Sequence, residues 1–239
     1  MSIISFHSHQ RYNDEGTIND PSPAKSFVPR WFASADRHWK DPHGNIMKNS
    51  YGGESLSFKS CPALLDIFTA GYVLKTPCDI NFVEIDGVIV PQVDESYEGF
   101  CEIRGEMPGL EVPYGHSKTG YHWYPNWGIG LPEGYSALCM NPINHFELPF
   151  ITMSGIIDSD RTNTPGLLPF FIREGFTGKI SAGTPYLQII PIKREDWSMD
   201  KVYYTYAGIL NRHQKQANDF RVPEGGAYKK RFWQRKRYE

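Results

Sequence analysis

The sequence predicts a mainly β fold, a barrel or sandwich of short strands, and three observations predict it. Tyr, Phe and Trp make up 14% of the 239 residues and stand among 22 Gly and 18 Pro, a mixture of aromatic packing and tight turns that suits short strands. Asp86-Gly87 lies between two apolar runs in "DINFVEIDGVIVPQV", the strongest short-range signal for a two-residue hairpin. Apolar segments bounded by Gly or Pro then recur along the chain, and the length suffices for one large core with appendages.

Residues 1–60 open the chain as an extended arm, because "NDEGTINDPSPAKSFVPRWFASADRHWKDPHGN" is punctuated by residues that favour turns over ladders. Its Trp31, Phe32 and Trp39 are costly to leave in water, so the arm is expected to lie on its own domain or on a neighbouring subunit. Residues 61–197 form the β core with one short helix at its start. In "SCPALLDIFTAGY", Pro62 suits the first helical position, Leu64, Leu65 and Phe68 share a face, and Gly71 can close the helix in a left-handed conformation. After the hairpin at 86–87 the strand candidates are "FCEIRG", "GYSALCMNP", "PFITMSGII", "LLPFFI" and "YLQIIPI", with Pro91, Pro149 and Pro169 expected at strand ends or edges. Residues 198–239 supply a C-terminal helix, from the helical spacing in "MDKVYYTYAGILNRHQKQANDF", and a basic aromatic tail.

That tail, "KKRFWQRKRYE" at 229–239, holds six Lys/Arg and one Glu, leaving 19 basic against 26 acidic residues in the remainder. A cationic end on an anionic body can dock on an acidic neighbour, on nucleic acid, or on the protein's own surface. No apolar run approaches the ~20 residues of a membrane span, and "MSIISFHSHQRYNDEG" lacks the cationic and apolar regions of a signal peptide. The expected locations are the host cytoplasm or the virion, with no membrane contact.

Cys61, Cys78, Cys101 and Cys139 are widely spaced, without a C-x-x-C pair, and are expected as reduced, buried thiols. The histidine pairs His7/His9, His38/His43 and His116/His122 form no known metal phrase and read as surface or loop histidines, so no metal ligand is assigned. Nucleophile elbows and phosphate loops are absent; "GIGLPEG" at 128–134 has the wrong spacing and reads as loop glycines.

Two phrases remain. In "SGIIDSD" a short strand ends on Asp158, with Asp160 two residues on, where a carboxylate can orient water or accept a sugar hydroxyl. In "ISAGTPYLQIIPI", Gln188 is a lone amide on an apolar strand, sharing a face with Tyr186 and Ile190. The same residues also serve a fold: the two acids as caps for backbone N–H groups, Gln188 as partner of a buried backbone group, and Lys193, Arg194 and Glu195 as solvated or paired ends.

Residues 130–195 resemble the dUTPase and dCTP deaminase superfamily, whose barrels carry G-V-I-D-x-D-Y-x-G followed by G-D-x-x-A-Q-L. The resemblance implies a dUTPase-like (β-clip type) core, with Asp158 as the acid that binds deoxyribose and orients water. It places Asp160 and Gln188 in the nucleotide site and implies Mg2+ as cofactor. Arg161 stands where that family has an aromatic, and "NPINHFEL" holds nothing like its R-S-G. Over residues 58–197, "KSCPALLDIFTAGYVLKTPCDI", "WGIGLPEGYSALCMNP", "GIIDSD", "LPFFI" and "GTPYLQIIPIKREDW" are similar to an uncharacterised family of tailed phages, notably T4-like phages of marine bacteria, and of some bacteria. That likeness implies a phage-encoded protein and carries no activity. One acid and one amide are too few for phosphate chemistry, which needs several cations and a positioned water. The expectation is a non-catalytic structural or interaction protein, without cofactor, in a homo-oligomer or beside other phage structural proteins. The alternative is a deoxynucleotide-binding or nucleotide-hydrolysing enzyme or sensor with a degenerate site.

Overall fold

A computed structural model describes residues 2–10, 12, 16, 19–50, 52–164, 166–220 and 227–239. Parts of the predicted arm, and 221–226 of the predicted C-terminal segment, lie outside them. The fold is mainly β, and the chain divides into two compact units. The first comprises residues 1–27, 71–194 and 238, and the second 28–70, 195–237 and 239. Both units are discontinuous in sequence, whereas the sequence reading drew three consecutive segments.

In the first unit the strands are β1 (Ser5–His7), β2 (Ser22–Pro23), β3 (Tyr72–Lys75), β4 (Ile80–Ile85), β5 (Val88–Gln92), β6 (Cys101–Gly105) and β7 (His116–Trp123), then β8 (Gly128–Gly130), β9 (Tyr135–Met140), β10 (Phe150–Thr152), β11 (Gly155–Ile157), β12 (Leu168–Arg173), β13 (Gly178–Ile180) and β14 (Pro185–Lys193). They pair antiparallel in the orders β11-β9-β14-β3-β2, β10-β12-β7-β6, β13-β4-β5 and β1-β8. The hairpin forms as expected: Ile85 pairs with Val88, and Asp86 and Gly87 take the positive φ of 51° and 79° that a two-residue turn demands. One core joins the three larger sheets, drawing Leu74 from β3, Ile80 and Phe82 from β4, and Trp123 and Phe170 from β7 and β12. The Trp123 and Phe170 rings stack at 3.8 Å, and Trp123 donates its indole N–H to Thr152, whose hydroxyl donates in turn to the Tyr186 carbonyl. A buried indole is stable only with such a partner.

The structure corrects the strand inventory. His116–Trp123 was not among the candidates, yet β7 lies between β12 and β6. Its last four residues are buried on both faces, so no polar alternation marks it. Gly128 and Gly130 are strand residues, not loop residues. A β-carbon at 128 would lie 2.4 Å from the Asn163 carbonyl oxygen, and one at 130 would lie 2.5 Å from Ser5 Oγ of the paired β1. Pro91 lies on the edge strand β5 and Pro149 just before β10, but Pro169 sits inside β12, an interior strand. Its carbonyl accepts from Met153 N (2.8 Å), so its nitrogen faces the same side, past the end of β10, and costs no bond to β7.

Within the second unit, α1 (Arg30–Ser34) and α2 (Pro62–Thr69) bury Phe32 against Phe68, ring centroids 4.6 Å apart, with Trp31 edge-on to both. Lys59 Nζ donates to the carbonyls of Phe32 and Ala33 (2.5 and 2.6 Å), a cation at the end of α1. Between them Trp39, Met47 and Ser55 close a ring of three backbone bonds, Trp39 N to Ser55 O, Ser55 N to Met47 O and Met47 N to Trp39 O. The Asp41 and Asn49 side chains hold the two turns between these rungs by accepting from backbone N–H groups. Residues 28–60 are thus more regular than their turn-rich composition predicts, and Phe32 is buried while Trp39 remains half-exposed. The helix at 62 has Pro in its first turn, and Gly71 follows it with φ +71°.

The C-terminal helix α3 (Tyr206–Phe220) begins later than residue 199. Thr205 caps it: its hydroxyl accepts from Gly208 N and its carbonyl from Ile209 N, while the run Val202–Thr205 stays outside the helix. A further short helix, α4 (Ala227–Arg231), packs on α3. Among the described residues no helix is long and apolar enough to cross a membrane.

Candidate functional site

β11 ends at Ile157 and delivers Asp158 beyond the sheet, as "SGIIDSD" predicts. Two strands away β14 delivers Arg194 just past its last residue, and between them β9 begins with Tyr135 and Ser136, Gly134 standing just before it. These three ends are tied together. Asp158 Oδ1 accepts from Ser136 Oγ (2.7 Å) and Arg194 Nη1 (3.2 Å). Asp160 accepts from Gly134 N (2.9 Å), from Arg194 Nη1 (2.8 Å) and from Arg194 Nη2. Nη1 also reaches the Tyr135 carbonyl (3.1 Å) and Ser136 Oγ (3.0 Å), and Arg194 N donates to Gly134 O (2.8 Å).

The electrostatics follow from that geometry. The Arg194 guanidinium, seconded by the Gly134 N–H, holds the Asp160 carboxyl down at about 2, and Asp160 in turn raises the arginine. The Asp160 side chain is only 3% exposed, so it lies inside the clamp; that of Asp158 is 53% exposed. A carboxylate held down by a guanidinium and a backbone N–H is a weak base, which suits Asp160 to holding strand ends and not to taking a proton from water.

Gln188 is elsewhere. It is buried within β14 between Met140 of β9 and Val73 of β3, and its Oε1 accepts from Ile143 N (3.0 Å) in the loop after β9. Ser136 pairs with Ile192, four residues further along the same ladder, so Gln188 lies ~13 Å from the aspartate clamp. The structure brings Asp158 and Asp160 together and leaves Gln188 apart. Both faces of β14 are covered, with Tyr186, Leu187, Gln188 and Ile189 all buried, so the alternation read from the sequence separates two interiors instead of an interior and a pocket.

Sequence reasoning gave Arg194 no more than solvation or a pair; the signal was a cation one residue past a strand, with two acids following the strand two places away in the same sheet. It passed over Asn141 and Thr152. Asn141 Oδ1 accepts from Thr152 N (3.0 Å), which fixes β10 beside the loop that Gln188 holds.

The histidines do not converge. His122 Nε2 lies 3.4 Å from Glu102, His116 Nδ1 bonds the Tyr114 carbonyl, and His38 pairs with Glu54 (3.0 Å). His7 and His9 line a cleft of about 460 Å³ with Tyr97, Glu98, Tyr124 and Asn126. Among the described residues no three His, Cys, Asp or Glu side chains are grouped to hold a metal ion. All four cysteines are thiols; burial pushes Cys78 up to about 11 and Cys139 to about 12 and raises Cys101, whereas Cys61 is only half-buried. In comparisons with protein-family models, curated proteins and solved structures, nothing matches this chain.

Proposed function

We propose that this is a non-catalytic structural or interaction protein, phage-encoded, acting in a homo-oligomer or beside other phage structural proteins in the host cytoplasm or the virion. The observation that carries the reading is the clamp: Arg194 engages both acids that a nucleotide pocket would need, and the amide is spent on Ile143 N, ~13 Å away. On this reading the core is a dUTPase-like (β-clip type) barrel whose nucleotide-site positions now serve its strand ends, and no cofactor is required. Exposed aromatics support the interaction role: Trp197, Tyr203 and Tyr206 are each at least 79% exposed, more apolar surface than a solitary protein keeps without use.

The test has two arms. Light scattering of the full chain should give an oligomer that shrinks in the double substitution Trp197→Ser, Tyr203→Ser. A melting scan with dUTP or dCTP and Mg2+ should show no shift, and no turnover should follow. A monomer indifferent to those changes overturns the assembly reading. A nucleotide shift that Asp158→Asn abolishes makes the protein an enzyme or sensor instead.

A further inference from the structure

The charge of the chain is segregated by unit. The first unit carries 10 Lys/Arg against 17 Asp/Glu, a net of −7, and the second 15 against 10, a net of +5. Residues 229–237 of the second unit hold all six cations of the tail and no acid, and Glu239 follows them. α4 ends on Lys229, Lys230 and Arg231, a turn follows at Phe232, and a segment without regular secondary structure continues with Trp233, Arg235, Lys236 and Arg237.

This segment is fixed in place. Trp233 Nε1 donates to Asp66 Oδ2 (2.8 Å), Lys236 Nζ donates to the same oxygen (2.6 Å), and Phe232 N and Trp233 N both donate to the Tyr228 carbonyl. Asp66 sits on α2, so one carboxylate anchors the half-buried indole and one of the six cations. Lys229, Lys230, Arg231, Arg235 and Arg237 remain exposed on a segment already held, and Phe232 stands among them 49% exposed, with Tyr228 beside it at 41%. Ordering costs that would oppose binding are thereby reduced.

We propose that this surface of the second unit is a binding site for single-stranded nucleic acid. Cations at this density without an interspersed acid match a polyphosphate backbone, which presents charge of one sign along its length. Flat exposed rings between the cations offer what bases stack on, the pairing of basic groove and aromatic platform that recognises single strands without reading sequence. A protein partner would meet a rim of mixed sign better than an uninterrupted cationic one. The proposal stands apart from the reading of Asp158, Asp160 and Gln188, since none of those residues belongs to the second unit.

The experiment is fluorescence anisotropy of a labelled 20-nucleotide dT oligomer titrated with the full chain from 50 to 300 mM NaCl. Lys229, Arg235 and Arg237 alone predict a slope of log K against log salt of about −2.1, at ~0.7 per neutralised phosphate. The triple substitution Lys229→Gln, Arg235→Gln, Arg237→Gln should make it shallower by about 2.1 with an unchanged melting temperature, while Lys118→Gln in the first unit leaves it as it was. Phe232→Ala should weaken oligomer binding about fivefold or more and leave binding of inorganic polyphosphate unchanged. Absence of binding at 50 mM NaCl, a slope indifferent to the triple substitution, or equal affinity for polyphosphate and oligomer would each overturn the proposal. So would a tail whose cations prove necessary only for self-association.

Discussion

Gln188→Met separates a residue that holds the fold from one that holds a ligand. The substitution keeps the length and nearly the volume of the side chain and removes the acceptor. Gln188 is 3% exposed and its Oε1 lies 3.0 Å from Ile143 N, so the variant strands a backbone N–H inside the loop after β9. An unsatisfied buried donor costs about 1–3 kcal/mol, and the thioether, packed among Tyr186, Leu187 and Ile189, recovers a little by its apolar surface. A net loss of about 2 kcal/mol lowers the melting temperature by roughly 4–8 °C in a chain of this size. Urea unfolding followed by tryptophan fluorescence should show a lower midpoint at unchanged slope. The reasoning fails if stability falls by less than about 0.5 kcal/mol, within the usual range of a surface substitution. It fails equally if the wild type gains the ~2.7 kcal/mol that a deoxynucleotide at 100 times its Kd confers and the variant, equally stable, does not.

Two further outcomes follow from the same geometry. Asp160 titrates at about 2 in the folded state against ~3.9 unfolded, so its contribution is complete above about pH 4 and disappears as the pH falls towards 2; Asp160→Asn should be less stable than wild type at neutral pH and converge with it in acid melts. Gly71→Ala would place a β-carbon 1.9 Å from the Ile189 carbonyl oxygen at a φ of +71°, and should destabilise by more than about 2 kcal/mol in the same urea assay, where a helix-end glycine with open space around it would lose less.

Local chemistry determined what the sequence could tell by itself. A two-residue Asp-Gly between apolar runs has one low-strain solution, and β4–β5 adopt it; Pro62 in the first turn and Gly71 after the last set the ends of α2 within a residue; the acids after β11 lie beyond the sheet because the strand is short and Asp158 follows it directly. The strand β7 stayed hidden because burial on both faces erases the period of two, and the late start of α3 because a capping Thr205 follows a β-favouring run that also fits helical spacing. The division into two units was invisible, since residues 28–70 and 195–237 become neighbours only through contacts far apart in the chain. Tertiary structure alone decided the candidate site. Asp158, Asp160 and Gln188 read as one pocket along the chain, but strand register sets Gln188 four residues from the clamp on the β9–β14 ladder and brings Arg194 to the acids instead. Register fixes which side chains meet across a sheet, and no spacing within a single strand encodes it.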